Sequence, residues 1–333
     1  MDFGKQAQEK LIELGDVNKW IEWMKTKFEN EQAELFELAE KEINKLPTSD
    51  LNEVEPKWEI SFTIVTPSHS IRQNILAAVN KFDRPIKLFK GKDNHTLIIR
   101  LLRGNNVPVN DLWNDGWTCC KLFVAALNIG ANGIFYWNTV TDVDKFYDEI
   151  KDLESGKKLE VRLETRLTFN WQEKKMYLNE QNLHLTFLVY EYLKTIKNPE
   201  EGKPIREYLS GLGMLAKTDI HLRLEASALD NFYRAFCEAI QLQEKADSTA
   251  DLLDLGYHQI EGMLTGREEF DRTTRMAKAL IENTALSEPI TLTQVIAMKR
   301  YCEIYFLTVA VRKQRKDNTL RLIPIREEEV NKQ

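Results

Sequence analysis

Residues 220–245 read IHLRLEASALDNFYRAFCEAIQLQEK, and the fold class turns on this stretch. Its apolar residues Leu222, Ala226, Leu229, Phe232, Tyr233, Phe236, Ala239 and Ile240 recur at helical spacing. A stripe of that kind must be covered by other helices, so the spacing predicts the central helix of a bundle. Apolar periodicity on either side predicts helices at 183–196, 204–216, 249–265, 267–285 and 291–315. Asn198 to Lys203 (NPEEGK) reads as a loop, and Gly266 and Pro289 fall where helices should stop or start. The bundle is expected over residues 180–316, followed by a tail at 317–333.

Upstream of about residue 172 the period changes. Trp58, Ile60, Phe62 and Ile64 alternate with Glu59, Ser61 and Thr63, the pattern of a half-buried strand. A helix is expected from Ser68 to Phe82. Ile86–Lys90 and Thr96–Leu102 flank the turn formers Gly91 to Asn94 and predict a hairpin. Asn110–Asn128 reads as a helix, Gly133–Trp137 as a short buried strand and Thr141–Leu153 as a helix. Leu159, Val161, Leu163, Leu167, Phe169 and Trp171 alternate with Glu160, Arg162, Glu164, Arg166 and Asn170, which predicts a strand with one wet face. Residues 57–172 thus form an α+β layer with a mixed sheet of about five strands. Residues 1–50 carry Trp20, Ile21, Met24, Phe28, Leu35, Leu38, Ala39 and Ile43 at helical spacing and read as a helical arm. The linker Leu46 to Pro56 joins it to the layer. The fold class is therefore α+β, with an N-terminal helical arm and an all-α C-terminal bundle.

The chain has 333 residues, 43% of them hydrophobic, enough for two ordinary cores. A net charge of -6 argues against a surface wholly committed to nucleic acid. Cys119 and Cys120 are neighbours, while Cys237 and Cys302 lie far apart, so neither a disulfide framework nor a C-x-x-C metal pattern is present. The first residues, MDFGKQAQEK, contain no secretory signal, and the most apolar window, 122–137, is broken by Asn128, Gly130, Asn132 and Gly133. The expectation is a cytoplasmic protein with no membrane contact.

Four groups of residues are candidates for chemistry. Ser68, His69, Ser70 and Arg72, in TPSHSIR (66–72), sit where a strand should pass into a helix. Free N–H groups at a helix N-terminus attract anions, and these side chains add donors and charge, so a phosphate or nucleotide fits. The simpler account is that Ser68 or Ser70 caps the helix. Asp254, His258 and Glu261 share a helix face, and His221 and Glu225 share another, with Glu225 inside the apolar stripe. Facing helices of this kind hold metals in ferritin-like bundles, although the paired Glu-x-x-His pattern is missing and the first trio lies beside its helix's stripe, as a solvated face would. Trp113, Trp117, Phe135, Tyr136, Trp137 and Trp171, near Cys119, Cys120, Arg100 and Arg103, suit either base stacking or ordinary packing of a sheet on a helix. Arg312, Lys313, Arg315 and Lys316 suit a nucleic-acid contact or simply the negative end of the last helix. No nucleophile elbow, Walker A loop, dinucleotide fingerprint or H-E-x-x-H motif occurs.

LEASALDNFYRAF (224–236) and QVIAMKRYCEIYFLTVAVRK (294–313) resemble the HEPN helical bundles of bacterial conflict and RNA-targeting systems in helix order and texture, over residues 204–316. Nucleases of that family carry an Arg followed four to six residues later by His. None of His69, His95, His184, His221 or His258 has such an Arg, so the resemblance implies an inactive, binding or scaffolding relative in a defence or toxin–antitoxin setting. The expectation is an interaction protein without catalysis or cofactor of its own. Its α+β half would recognise a ligand or partner, and its bundle would associate, in the first instance as a homodimer. The alternatives are an effector acting on RNA or nucleotides and a metal enzyme using His221, Glu225, Asp254, His258 and Glu261.

Overall fold

β1 (Pro56–Val65) is the central strand of the sheet, because its even-numbered residues Trp58, Ile60, Phe62 and Ile64 are all buried on one face. The computed structural model describes residues 56–81, 84–105, 107, 109–137, 149–161, 176–218, 223–243, 248–261, 266–286 and 288–314, with Glu13 and Lys19 as isolated helical positions. Apart from those two positions the expected arm at 1–50 lies outside this set, as do the rest of the strand expected up to Trp171 and the tail at 317–333.

On one side β1 pairs with β4 (Thr96–Gly104), Ile60 opposite Leu101 and Phe62 opposite Ile99. β4 pairs in turn with β3 (Ile86–Lys90) as the expected hairpin. Asp93 closes that turn by accepting from the His95 N–H at 2.8 Å and the Thr96 hydroxyl at 2.7 Å. On its other side β1 pairs with β5 (Tyr136–Trp137) at Ile64–Val65 and with β6 (Glu149–Asp152) at Trp58–Ser61. β6 pairs with β7 (Lys158–Val161). Among the described residues every pairing in this sheet is antiparallel, which corrects the expected mixed sheet, and its order is β3-β4-β1-β6-β7 with β5 beside β1. Among the described residues parallel pairing is confined to a separate ladder of β2 (His69–Ser70) with β8 (Met176–Tyr177).

Two expected helices are corrected. The helix expected from Ser68 begins only at Gln73, as α1 (Gln73–Val79), because His69 and Ser70 are drawn into the ladder with β8. The end of the helix expected over 141–153 is strand β6, whose backbone pairs with the open edge of β1 and whose Ile150 joins the core; residues 141–148 lie outside the described set. The helical spacing was real, but an unpaired edge on a central strand offers 149–152 a full set of hydrogen bonds.

α2 (Val109–Ala131) packs on β1 of the sheet, and α3 (Glu180–Thr195) packs along α2 and against α1. Phe123 meets Phe187 and Tyr190 edge-on, with ring centroids 5.6 and 5.5 Å apart. The two helices approach closely at Gly130, where a Cβ would stand 2.4 Å from the Thr186 backbone nitrogen. α3 begins in a capping box: the Asn179 side chain accepts from the Asn182 N–H at 2.8 Å, and the Asn182 side chain accepts from the Asn179 N–H at 3.2 Å.

The bundle follows as α4 (Lys203–Lys217), α5 (Glu225–Gln243), α6 (Thr249–Ile260), α7 (Arg267–Ile281) and α8 (Leu292–Gln314). α5 buries Leu229, Phe232, Tyr233, Phe236, Ala239 and Ile240, the stripe expected from the sequence. The enclosed helix is α8, which packs on α2, α3, α5, α6 and α7 and buries every residue from Tyr301 to Val311. A single buried core runs from Trp58 in the sheet to Val311 in α8.

Candidate functional site

Where β1 ends, Thr66 folds the chain over itself, its hydroxyl accepting from the Ser68 and His69 N–H groups at 3.3 and 3.2 Å. That turn directs Ser68 and His69 inward, and they are 0% and 1% exposed. The Ser68 hydroxyl accepts from the Ile134 N–H at 2.7 Å and lies 3.0 Å from His69 Nδ1. The His69 ring packs on Phe135, with centroids 5.1 Å apart, and against Gly133, where a Cβ would stand 2.5 Å from the imidazole. α2 delivers this segment: the helix ends at Asn132 in the left-handed region (φ 48°), and the Asn128 side chain bonds both the carbonyl and the N–H of Phe135 at 2.7 and 3.1 Å.

The bundle meets the same point from the other side. Lys299 and Glu303 of α8 are 3% and 2% exposed and paired with each other, Lys299 Nζ also donating to the Gly133 carbonyl. The Tyr208 hydroxyl of α4 donates to the same Glu303 oxygen. Burial, and then the Glu303 charge, raise the Tyr208 phenol well above its usual range and keep it a donor. Burial, and then the charge of Lys299, lower the His69 imidazole to about 4, so it is neutral at pH 7. The result is a sealed polar cluster that ties β2, the loop after α2, α4 and α8 together.

The sequence singled out Ser68 and His69 in this cluster but not Asn128, Tyr208, Lys299 or Glu303. A signal existed for the last pair: two charges four residues apart inside the apolar run MKRYCEIYFLTVAV.

The anion-site residues separate. Ser68 and His69 are buried, Ser70 is half-buried in the ladder, and Arg72 is exposed. Neither serine caps the following helix, whose N-cap position is Arg72 with no side-chain cap. The N–H groups of Ser68 and His69 go to Thr66, and that of Ile71 goes to the Asn94 carbonyl at 2.7 Å. Arg72 instead lays its guanidinium 3.7 Å from the centre of the Tyr177 ring. Tyr177 is 59% exposed and Met176 beside it 43%.

The metal candidates do not converge. His221 lies outside the described residues, and Glu225 opens α5 half-buried, within 3.1 Å of the exposed Arg223. Asp254 pairs with Arg267, and His258 Nδ1 stands 3.4 Å from Glu261 on a solvated face. Among the described residues no group of three or more His, Cys, Asp or Glu side chains could hold a metal ion. Phe135, Tyr136 and Trp137 are core residues, Tyr136 and Trp137 stacked 4.0 Å apart, while the Trp113, Trp117 and Trp171 side chains lie outside the described set. Arg103 bonds Asp115 and the Cys119 sulfur, the latter at 2.8 Å. Arg312 and Lys313 fall in the last turn of α8. All four cysteines are free, and no described helix is long and apolar enough to cross a membrane. Compared with protein-family models, curated proteins and solved structures, the chain finds no match in any of the three.

Proposed function

We propose that this chain is a binding protein that recognises a protein partner through the patch formed by Arg72, Met176 and Tyr177, and that it has no chemistry of its own. The observation that carries the reading is the Arg72 guanidinium stacked on a largely exposed tyrosine beside an exposed methionine. Arg, Tyr and Met are the side chains enriched at interface cores, where large rigid contact area comes at small entropic cost. The sealed cluster beneath holds the β2–β8 ladder in one geometry, so the patch is organised before a partner arrives. The Ser68, His69, Lys299 and Glu303 side chains lie under the surface, out of a substrate's reach. The bundle supplies association, as a homodimer in the first instance, and Ile281 at the end of α7 and Leu286 in the loop after it are exposed apolar residues available for it.

Affinity capture with the wild type, an Arg72→Glu/Tyr177→Ala double variant and a distant control, Arg234→Ala, tests the recognition site. The expected result is a partner held by wild type and control and lost at least about tenfold by the double variant, the loss of two anchors. Identical capture by all three would refute it. Light scattering on the eluting protein tests association, which a strict monomer at high concentration contradicts. The same stack favours a second reading, RNA or nucleotide binding with a base on Tyr177 and a phosphate on Arg72. Salt-sensitive binding of a single-stranded oligonucleotide, lost in Arg72→Ala, would replace the protein partner with RNA and return the chain to the RNA-targeting company its bundle resembles.

A further inference from the structure

At one end of the bundle the last turns of α3, α5 and α8 and the first turn of α4 leave a groove. Its floor is apolar, made by Ile196, Ile205, Leu242, Phe306 and Val309 around a narrow space of about 20 Å³, and it opens at its mouth into a cavity of about 240 Å³ lined by Tyr192, Glu201, Leu242 and Lys313. Leu242 is 43% exposed there, although α5 covers the rest of its apolar stripe. Burial, and then the charge of Glu201, push the Tyr192 phenol at the same mouth up to about 12.

We propose that this groove seats the chain's own residues 320–326, LRLIPIR. The segment leaves α8 at Gln314, next to Lys313 on the groove's mouth. Val309 and Phe306 lie about 8 and 12 Å back along the helix axis at 1.5 Å per residue. Residues 315–319 span about 17 Å when extended, so the chain after Thr319 reaches both. Leu320, Leu322, Ile323 and Ile325 then offer four apolar side chains in six positions. Pro324 lacks an N–H, and a residue before proline disfavours the helical region, so this sequence suits an extended segment that lies in a groove without strand or helix partners. Arg321 within this strip and Arg326 at its end carry the charge that suits Glu201. A tethered segment is present at an effective concentration in the millimolar range, which favours it over a second copy of the chain at ordinary protein concentrations. The groove shares no residue with the Arg72–Tyr177 patch, so either proposal can fail alone.

Hydrogen–deuterium exchange on the full chain tests the seat. The amides of residues 320–326 should exchange on the order of tenfold or more slowly than an unstructured peptide, with protection independent of protein concentration. Leu242→Arg or Glu201→Lys in the groove, and Leu322→Asp/Ile325→Asp in the segment, should each remove that protection while leaving the far-ultraviolet circular dichroism unchanged. Exchange at unstructured rates in the wild type would overturn the proposal. So would protection that survives both groove variants, and protection that grows with protein concentration would make a second copy the occupant.

Discussion

His69 is neutral inside the fold at pH 7. Its neighbours are Ser68, Gly133 and Phe135, with the Lys299–Glu303 pair and Tyr208 of the bundle packed behind them, and its imidazole titrates near 4 against 6.5 when free. Between those values the unfolded chain binds a proton that the folded chain refuses, so stability rises with pH. The contribution is complete above pH 6.5 and is lost as pH falls towards 4, by about 3 kcal/mol for a shift of this size. Urea titrations across that window should show the slope in the wild type and not in His69→Asn, which keeps a polar partner for Ser68. Equal slopes in both would remove His69 as the cause. Lys299 and Glu303 make a sharper case. Lys299→Met removes the cation paired with the buried Glu303 carboxylate and should cost about 3–5 kcal/mol by chemical denaturation, whereas Lys299→Met with Glu303→Leu should recover most of that loss. A double variant no more stable than the single would mean that the pair is not the source of the effect.

Among the elements, α3 and α8 show different ways of being held. α3 begins with its own cap, so Asn179→Ala should lower stability by about 1 kcal/mol without moving the fold. α8 is buried on all sides from Tyr301 to Val311, and its apolar residues therefore show no single stripe there. That is why the sequence pointed to α5 as the central helix: a stripe is visible only on a helix that keeps a wet face. The same reasoning covers β6. Residues 149–152 have helical spacing with their neighbours, and only the free edge of β1 makes them a strand. The chain's own pattern carried the β3–β4 hairpin and the helices from α3 to α8, because their hydrogen bonds close within or near each segment.

The molecule's core passes without a break from sheet to bundle through α2 and α3. All seven tryptophans lie between Trp20 and Trp171, so tryptophan fluorescence reports the N-terminal half while far-ultraviolet circular dichroism is dominated by the helices. Coincident thermal transitions by the two probes are expected, since the sheet loses its cover when the bundle opens. Two separated transitions would show instead that residues 57–172 and 180–316 fold as independent units. Local periodicity was sufficient to determine the α+β class, the hairpin and the bundle, and it marked Ser68, His69 and Arg72 as chemically unusual. Only the tertiary structure decided that Ser68 and His69 turn inward to the Lys299–Glu303 pair while Arg72 turns out to Tyr177. Those partners are separated by more than a hundred residues, and which of two neighbouring side chains is buried depends on strand pairings that no local pattern encodes.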